Sequence, residues 1–235
     1  MTLGIIGAMD VEVELLKGHL DRPRVTVVSG MEFCEGTLRG VPVVVVRCGV
    51  GGTNAAICAQ TLVLRFGADR VVNTGVAGSL SEDVDIADVV VSSDVAHYDV
   101  DVQNLGYRPG EVPGMGIVGF PADARMRDAA VAAVREAAPE AGVFVGRVAS
   151  GDHFVRTQAE RGRIVRDFGA LCCEMEGADI AHACYVNHVP FVVVRAISDR
   201  ANGDAAQDYP AFERSSALLC ASVVERMVGM LGATS

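Results

Sequence analysis

Apolar and polar positions alternate along this chain in blocks that predict strands and helices in turn. Residues 3–8 form an apolar run that reads as a buried strand ending in Gly7-Ala8-Met9. Asp10 follows as an N-cap, and apolar positions at 11, 15, 16 and 20 have helical spacing over Val11–Leu20. Val25–Val28, Phe33–Leu38 and Val41–Arg47, separated by Gly30, Gly36 and Gly40, predict a meander. A glycine-rich link, Cys48 to Asn54, leads into an apolar helix over Ala55–Phe66. Arg70–Thr74 reads as a strand closed by a glycine-rich turn, Gly75-Val76-Ala77-Gly78, and Val84–Ser93 as the next strand. Between His97 and Gly119 periodicity disappears into Asp, Gly, Pro and Tyr. So long an irregular stretch inside a compact domain is usually functional or an interface.

The second half repeats the scheme. Ala122–Ala138 predicts a helix, Val143–Ala149 a strand ending in Ser150-Gly151-Asp152-His153-Phe154, and Thr157–Phe168 a charged helix. Cys173–His188 reads as a helix opening on Glu174, Met175 and Glu176. Phe191–Asp199, FVVVRAISD, is apolar from Phe191 to Val194, as in a strand buried on both faces, and turns polar at Arg195, Ser198 and Asp199. A polar loop, Arg200–Asp208, precedes a closing amphipathic helix over Tyr209–Leu231. Strand, turn and helix recurring in this order predict an α/β fold with a central, largely parallel sheet, mixed because of the early meander. No linker divides residues 1–235, so one domain is expected.

Composition narrows the partners. The net charge is −10, the arginines are scattered and Lys17 is the only lysine. Polyanion binding needs a concentrated basic face, so no nucleic-acid partner is expected, and Schiff-base chemistry is poorly served. Seven cysteines, at 34, 48, 58, 172, 173, 184 and 220, include no CxxC pair and sit in or beside apolar runs. That pattern predicts reduced buried thiols in a cytoplasmic protein, with neither a disulfide framework nor a zinc site. The chain begins on a strand without a basic leader, and no apolar stretch approaches the roughly 20 residues that span a bilayer, so neither signal peptide nor membrane is expected.

Candidate chemistry gathers after strands. In open α/β sheets ligands bind outside the carboxyl ends of strands, which makes Asp199 a site candidate, although Asp also caps loops and helices. The acids Asp10, Glu12 and Glu14 open the first helix, where compensation of the helix dipole accounts for them equally well. The same alternative holds for Glu174 and Glu176, but apolar flanks direct at least one of them inward, where a carboxylate needs a partner. The first strand carries only Gly4 and Gly7, not the full dinucleotide fingerprint, and no lysine follows the glycine-rich link as in a nucleotide-phosphate loop.

Six motifs in order, GIIGAMDVE from Gly4, NTGVAG from Asn73, HYDVDV from His97, SGDHF from Ser150, EMEG from Glu174 and VVVRAISD from Val192, resemble the 5′-methylthioadenosine/S-adenosylhomocysteine nucleosidases. The resemblance runs from Gly4 to about Phe212. It implies a three-layer αβα sandwich around a mixed sheet, a homodimer, no cofactor and no metal. It also implies hydrolysis of the N-glycosidic bond to adenine and a 5-thio-substituted ribose, as in methionine salvage and nucleoside catabolism. By the same resemblance Asp199 is the acid at purine N7 and Glu12 the base for the attacking water. Glu176 holds the ribose hydroxyls with Met175 against the sugar, Phe154 and the Val155 backbone contact adenine, and Ser198 lies beside the acid. Val102, Leu105, Tyr107 and Pro113 belong to the 97–119 loop that reaches the partner subunit's site, and Tyr209 to a mobile lid.

Three positions depart from the family pattern. Val76 stands where some members carry Ser beside the acid, Leu105 where an aromatic is frequent, and His97-Tyr98-Asp99 reverses the order of its first two residues. These bear on the preferred 5′ substituent, not on the reaction class. The rival readings are futalosine or aminodeoxyfutalosine hydrolysis, a nucleoside phosphorylase, a nucleoside-sensing module and, least supported, a dehydrogenase. A phosphorylase must hold a dianion, and Glu12 would repel it, with Arg47 the one residue arguing otherwise.

Overall fold

The computed structural model describes residues 2–202 and 205–233. Within them the chain runs β1 (Leu3–Gly7), α1 (Asp10–Gly18), β2 (Asp21–Val28), β3 (Met31–Leu38), β4 (Val41–Arg47), α2 (Gly52–Phe66), β5 (Arg70–Ser79) and β6 (Val89–His97). After a short 3₁₀ turn at Gln103–Leu105 come β7 (Gly119–Pro121), α3 (Ala124–Ala137), β8 (Val143–Ser150), α4 (Gln158–Phe168), β9 (Cys172–Glu174), α5 (Gly177–Val186), β10 (Phe191–Asp199) and α6 (Ala205–Ala233). Every strand joins one mixed sheet. β1 pairs in parallel with β4 and β5, and β5 in parallel with β10. The meander β2–β3–β4 is antiparallel, as its glycine-punctuated alternation predicted. At the other end β5, β10, β6, β8 and β9 pair in succession and return to β5, closing a ring.

Helices cover both faces, giving the three layers. On one face α1, α3 and α6 bury an apolar cluster that includes Ile5, Leu16, Val194, Val224 and Met227. On the other, α2 and α5 pack with Ile6, Leu62, Val71, Ile180 and Val193. Successive residues of β1 and β10 thus serve opposite clusters, which explains why these strands read as unbroken apolar runs.

Five expectations are corrected. The glycine-rich segment Gly75–Gly78 is no turn: β5 continues through it in register with β10, Arg195 opposite Gly75 and Asp199 opposite Gly78. Residues 84–88 precede the sixth strand, because the Asp88 carboxylate accepts the Asp85 N–H at 2.8 Å and Ala87 turns at φ 72°. The expected helix over Cys173–His188 divides into β9 and α5, with the Glu174 carboxylate accepting the Gly177 N–H at 2.8 Å where the helix begins. The loop expected at Arg200–Asp208 is already helical from Ala205, a stretch of good helix formers, so Pro210 lies inside α6; Gly203 and Asp204 lie outside the described residues. Finally, α6 is long and apolar enough to cross a bilayer by length and composition, contrary to the sequence expectation, and it lays its apolar side, Ala217 to Leu231, on the sheet.

Leu62 is fully buried between α2 and the sheet. Leu62→Ala should lower the unfolding free energy by about 2–5 kcal/mol in urea titrations, while Val25→Thr, on a half-exposed strand position, should change it by less than about 0.5 kcal/mol.

Candidate active site

Three parallel neighbours, β1, β5 and β10, end side by side, and the chemistry collects at their carboxyl ends. A cleft of about 230 Å³ there is lined by Ala8, Met9, Glu12, Val50, Val76, Ala77, Gly78, Phe154, Cys173, Glu174, Met175, Glu176, Ser198, Asp199 and Tyr209. Glu12 and Asp199, 187 residues apart in sequence, therefore face one cavity.

Glu12 arrives on the first turn of α1, and its carboxylate folds back over the strand end. Oε2 accepts the N–H groups of Ala8 at 2.7 Å and Met9 at 2.9 Å, and Oε1 accepts that of Val76 at 3.1 Å. Met9, not Asp10, is the N-cap residue. Asp10 points outward to Arg47 at 3.3 Å, so the one arginine that argued for phosphate is engaged on the surface. Burial raises the Glu12 pKa, opposed first by the Arg195 charge and then by the three backbone donors.

Asp199 ends β10 beyond a register shift that follows Ile197. Its Oδ1 accepts the Ala201 N–H at 2.8 Å and its Oδ2 the Ser198 hydroxyl at 3.0 Å. Burial again raises the pKa; the two donors oppose it, and the Asp208 charge adds to it. Val76 lines the same cleft, and its backbone N–H serves Glu12. Gly78 matters to the acid: a Cβ there would lie 2.7 Å from Asp199 Oδ1, so only glycine leaves room for the carboxyl.

Glu176 forms the N-cap of α5, with Oε1 accepting the Gly51 N–H at 2.8 Å. Burial, reinforced by the neighbouring Glu174 charge, pushes its carboxyl up to about 8. Beneath it lies a buried network that the sequence did not disclose. Arg195 pairs with the Glu174 carboxylate and donates to Asn73 Oδ1, while Glu174 also accepts the Glu176 N–H at 3.1 Å. A polar residue at 195, in the middle of an otherwise apolar strand, was the available signal.

Among the other expected residues, Phe154, Met175, Ser198 and Tyr209 line the cleft, and Val155 is buried in a smaller recess beside it. The Phe154 and Tyr209 rings meet edge to face at 5.6 Å, and the Tyr209 hydroxyl contacts Met9 Sδ at 3.3 Å. Val102, Leu105, Tyr107 and Pro113 do not line this chain's cleft, and Leu105 is exposed. Ala8, Met9, Val50, Ala77, Gly78 and Cys173 line it without having been singled out, and Glu174, read as one of two helix-opening acids, lines it beside Glu176. Among the described residues, no group of three or more His, Cys, Asp or Glu is arranged to hold a metal ion.

The family model of the phosphorylase superfamily matches residues 2–229. A 5′-methylthioadenosine/S-adenosylhomocysteine nucleosidase of Shewanella pealeana is 37% identical over 232 residues, spanning 97% of this chain and 100% of that protein. The chain belongs to this nucleosidase family. The crystal structure of a Neisseria meningitidis nucleosidase in complex with methylthio-immucillin-A superposes with a TM-score of 0.94 at 35% identity, covering 97% of this chain and 99% of that one. The futalosine hydrolase of Helicobacter pylori matches with a TM-score of 0.92 at 29% identity over 98% of both chains.

The raised Glu176 pKa has a consequence for stability. The folded protein keeps this proton at pH values where the unfolded chain, near its ordinary ~4.3, has released it. The contribution is therefore complete below the unfolded value and lost as pH rises through about 8. Between pH 5 and pH 8.5 the melting temperature of the ligand-free wild type should fall more steeply than that of Glu176→Gln, as differential scanning fluorimetry would show.

Proposed function

We propose that this protein hydrolyses the N-glycosidic bond of 5′-methylthioadenosine and S-adenosylhomocysteine, releasing adenine and the 5-thio-substituted ribose. The observation that carries the reading is the meeting of Glu12, Glu176 and Asp199 around one cleft. Adenine is a poor leaving group until N7 is protonated. Asp199, whose pKa burial raises, supplies the proton to that nitrogen. Cleavage of C1′–N9 then releases neutral adenine with its proton on N7 and leaves oxocarbenium character on the sugar. Glu12 takes a proton from water as its oxygen bonds to C1′. Glu176 accepts from the ribose hydroxyls and Met175 packs on the sugar. Phe154, with its ring partly exposed to the cleft, stacks on the purine while the Val155 backbone hydrogen-bonds it. Tyr209 closes the rim.

Water suits this cleft better than phosphate. Among the described residues no arginine or lysine lines it, and the carboxyl groups of Glu12, Glu174 and Glu176 offer an entering dianion no cation. Hydrolysis of futalosine-type nucleosides is the second reading, supported by the likeness to the H. pylori enzyme; it uses the same Glu12 and Asp199. All seven cysteines are free and buried, in keeping with a reducing cytoplasm. One domain over residues 1–235 is in keeping with the continuous sheet.

In phosphate-free buffer the enzyme should release adenine from methylthioadenosine, with adenosylhomocysteine and aminodeoxyfutalosine run beside it. Glu12→Gln and Asp199→Asn should each lower kcat about 10²- to 10⁴-fold with the fold intact by circular dichroism. A strict phosphate requirement would establish a phosphorylase instead, and wild-type turnover in Asp199→Asn would remove the assigned acid.

The homodimer belongs to the same proposal: residues 97–119 leave Val102, Leu105, Tyr107 and Pro113 away from their own cleft, free to reach a partner's. Sedimentation equilibrium should give twice the 24.6 kDa chain mass, and Leu105→Asp should raise KM for methylthioadenosine. A monomer with full activity would refute the arrangement.

A further inference from the structure

α2 begins without a cap of its own. Its N-cap is Gly51, at φ 99°, and its first turn holds no acidic residue. Free N–H groups at a helix start need acceptors and attract negative charge, and here they find them on other elements. The Gly51 N–H donates to Glu176 Oε1 at 2.8 Å, from the junction of β9 and α5. The Gly52 N–H donates to Asp152 Oδ1 at 2.7 Å, from the segment after β8. Asp152 is in turn fixed by its own N–H, which donates to Asp99 Oδ2 at 3.0 Å. The fit is close: a Cβ on Gly51 would stand 3.1 Å from Asp152 Oδ1, and one on Gly52 would stand 2.7 Å from the Asp179 carboxyl carbon. Two successive amides thus tie a carboxylate in the cleft to one outside it, since Asp152 does not line the cavity.

We propose that Asp152 is a positioning residue for Glu176: by holding the Gly52 amide it sets the first turn of α2, so that the Gly51 amide presents Glu176 to the ribose hydroxyls. Asp99 supports this by orienting Asp152. The proposal rests on the ribose-holding reading of Glu176 given above. Asp152 touches no substrate and carries no proton in the reaction. Its effect on turnover is therefore transmitted through Glu176. Val50, which precedes Gly51 and lines the cleft, would also shift with the turn, but that effect would survive the loss of Glu176.

A double-mutant cycle read as kcat/KM for methylthioadenosine separates these routes. Asp152→Ala, which leaves the Gly52 amide without its acceptor, should lower kcat/KM about tenfold. Asp152→Asn keeps an oxygen acceptor and should stay within about threefold of wild type, with both variants checked for native circular dichroism. In the Glu176→Ala background the further loss on adding Asp152→Ala should shrink to less than about twofold. A loss of the same size in both backgrounds, or an unimpaired Asp152→Ala enzyme, overturns the relay. Glu176→Ala with wild-type kcat/KM would overturn the ribose assignment as well, so the two failures are distinguishable.

Discussion

One guanidinium holds the centre of this structure together. Arg195 is fully buried in β10, paired with Glu174 and hydrogen-bonded to Asn73. The charges of Glu12 and Glu176 also act on it, so three buried carboxylates share one cation. An ion taken from water into a protein interior is costly, and removing one partner of such a set leaves an uncompensated charge worth about 3–5 kcal/mol of destabilisation. Burial, reinforced at Glu176 by the neighbouring Glu174 charge, pushes the carboxyl groups here toward holding protons, and Arg195 opposes it at Glu12 and Glu176. Arg195 lies beside Gly75 in the strand pairing, where a side chain would run into Glu12 and the guanidinium. The glycines of β5 thus make space for the charges that its neighbours deliver.

That arrangement also decides where the chemistry is placed. Three parallel strands set side by side end at the same level, and each end supplies something different: Ala8 and Met9 offer amides, Val76 an amide and Gly78 room, and Ser198 and Asp199 a hydroxyl and an acid. The register shift after Ile197 aligns Asp199 with Gly78, the one residue there with no side chain to displace it. The helices contribute at their N-terminal ends, α1 with Glu12 in its first turn and α5 with Glu176 as its N-cap.

Much of this was legible in the sequence because burial leaves a pattern. Phe191–Val194 announced a strand covered on both faces, and Asp199 at its end announced a site. The meander followed from alternation punctuated by glycine. The glycines of 75–78 were misread as a turn, because sequence does not distinguish a glycine needed for a bend from one needed for close approach. Glu174 was read as a helix-opening acid, because a three-residue strand leaves no periodicity of its own. The Asp152–Gly52 contact joins residues 100 apart and has no local signature. Motif order supplied the residues of the cleft; only packing supplies their partners.

Equal burial need not mean equal roles. Glu12 accepts three backbone N–H bonds and feels the nearby positive charge of Arg195, all of which favour its anion. Asp199 has two donors, no cation among the causes acting on it, and the like charge of Asp208 instead. Burial raises the pKa of both carboxyl groups, but what opposes it differs: a cation and three amides at Glu12, two donors alone at Asp199. Glu12 thus has more around it that favours an anion, as a base for water needs, and Asp199 less, as an acid for a purine nitrogen needs. This difference is in keeping with the proposed roles of Glu12 as base and Asp199 as acid, and it follows from which amides and which arginine the fold places beside each.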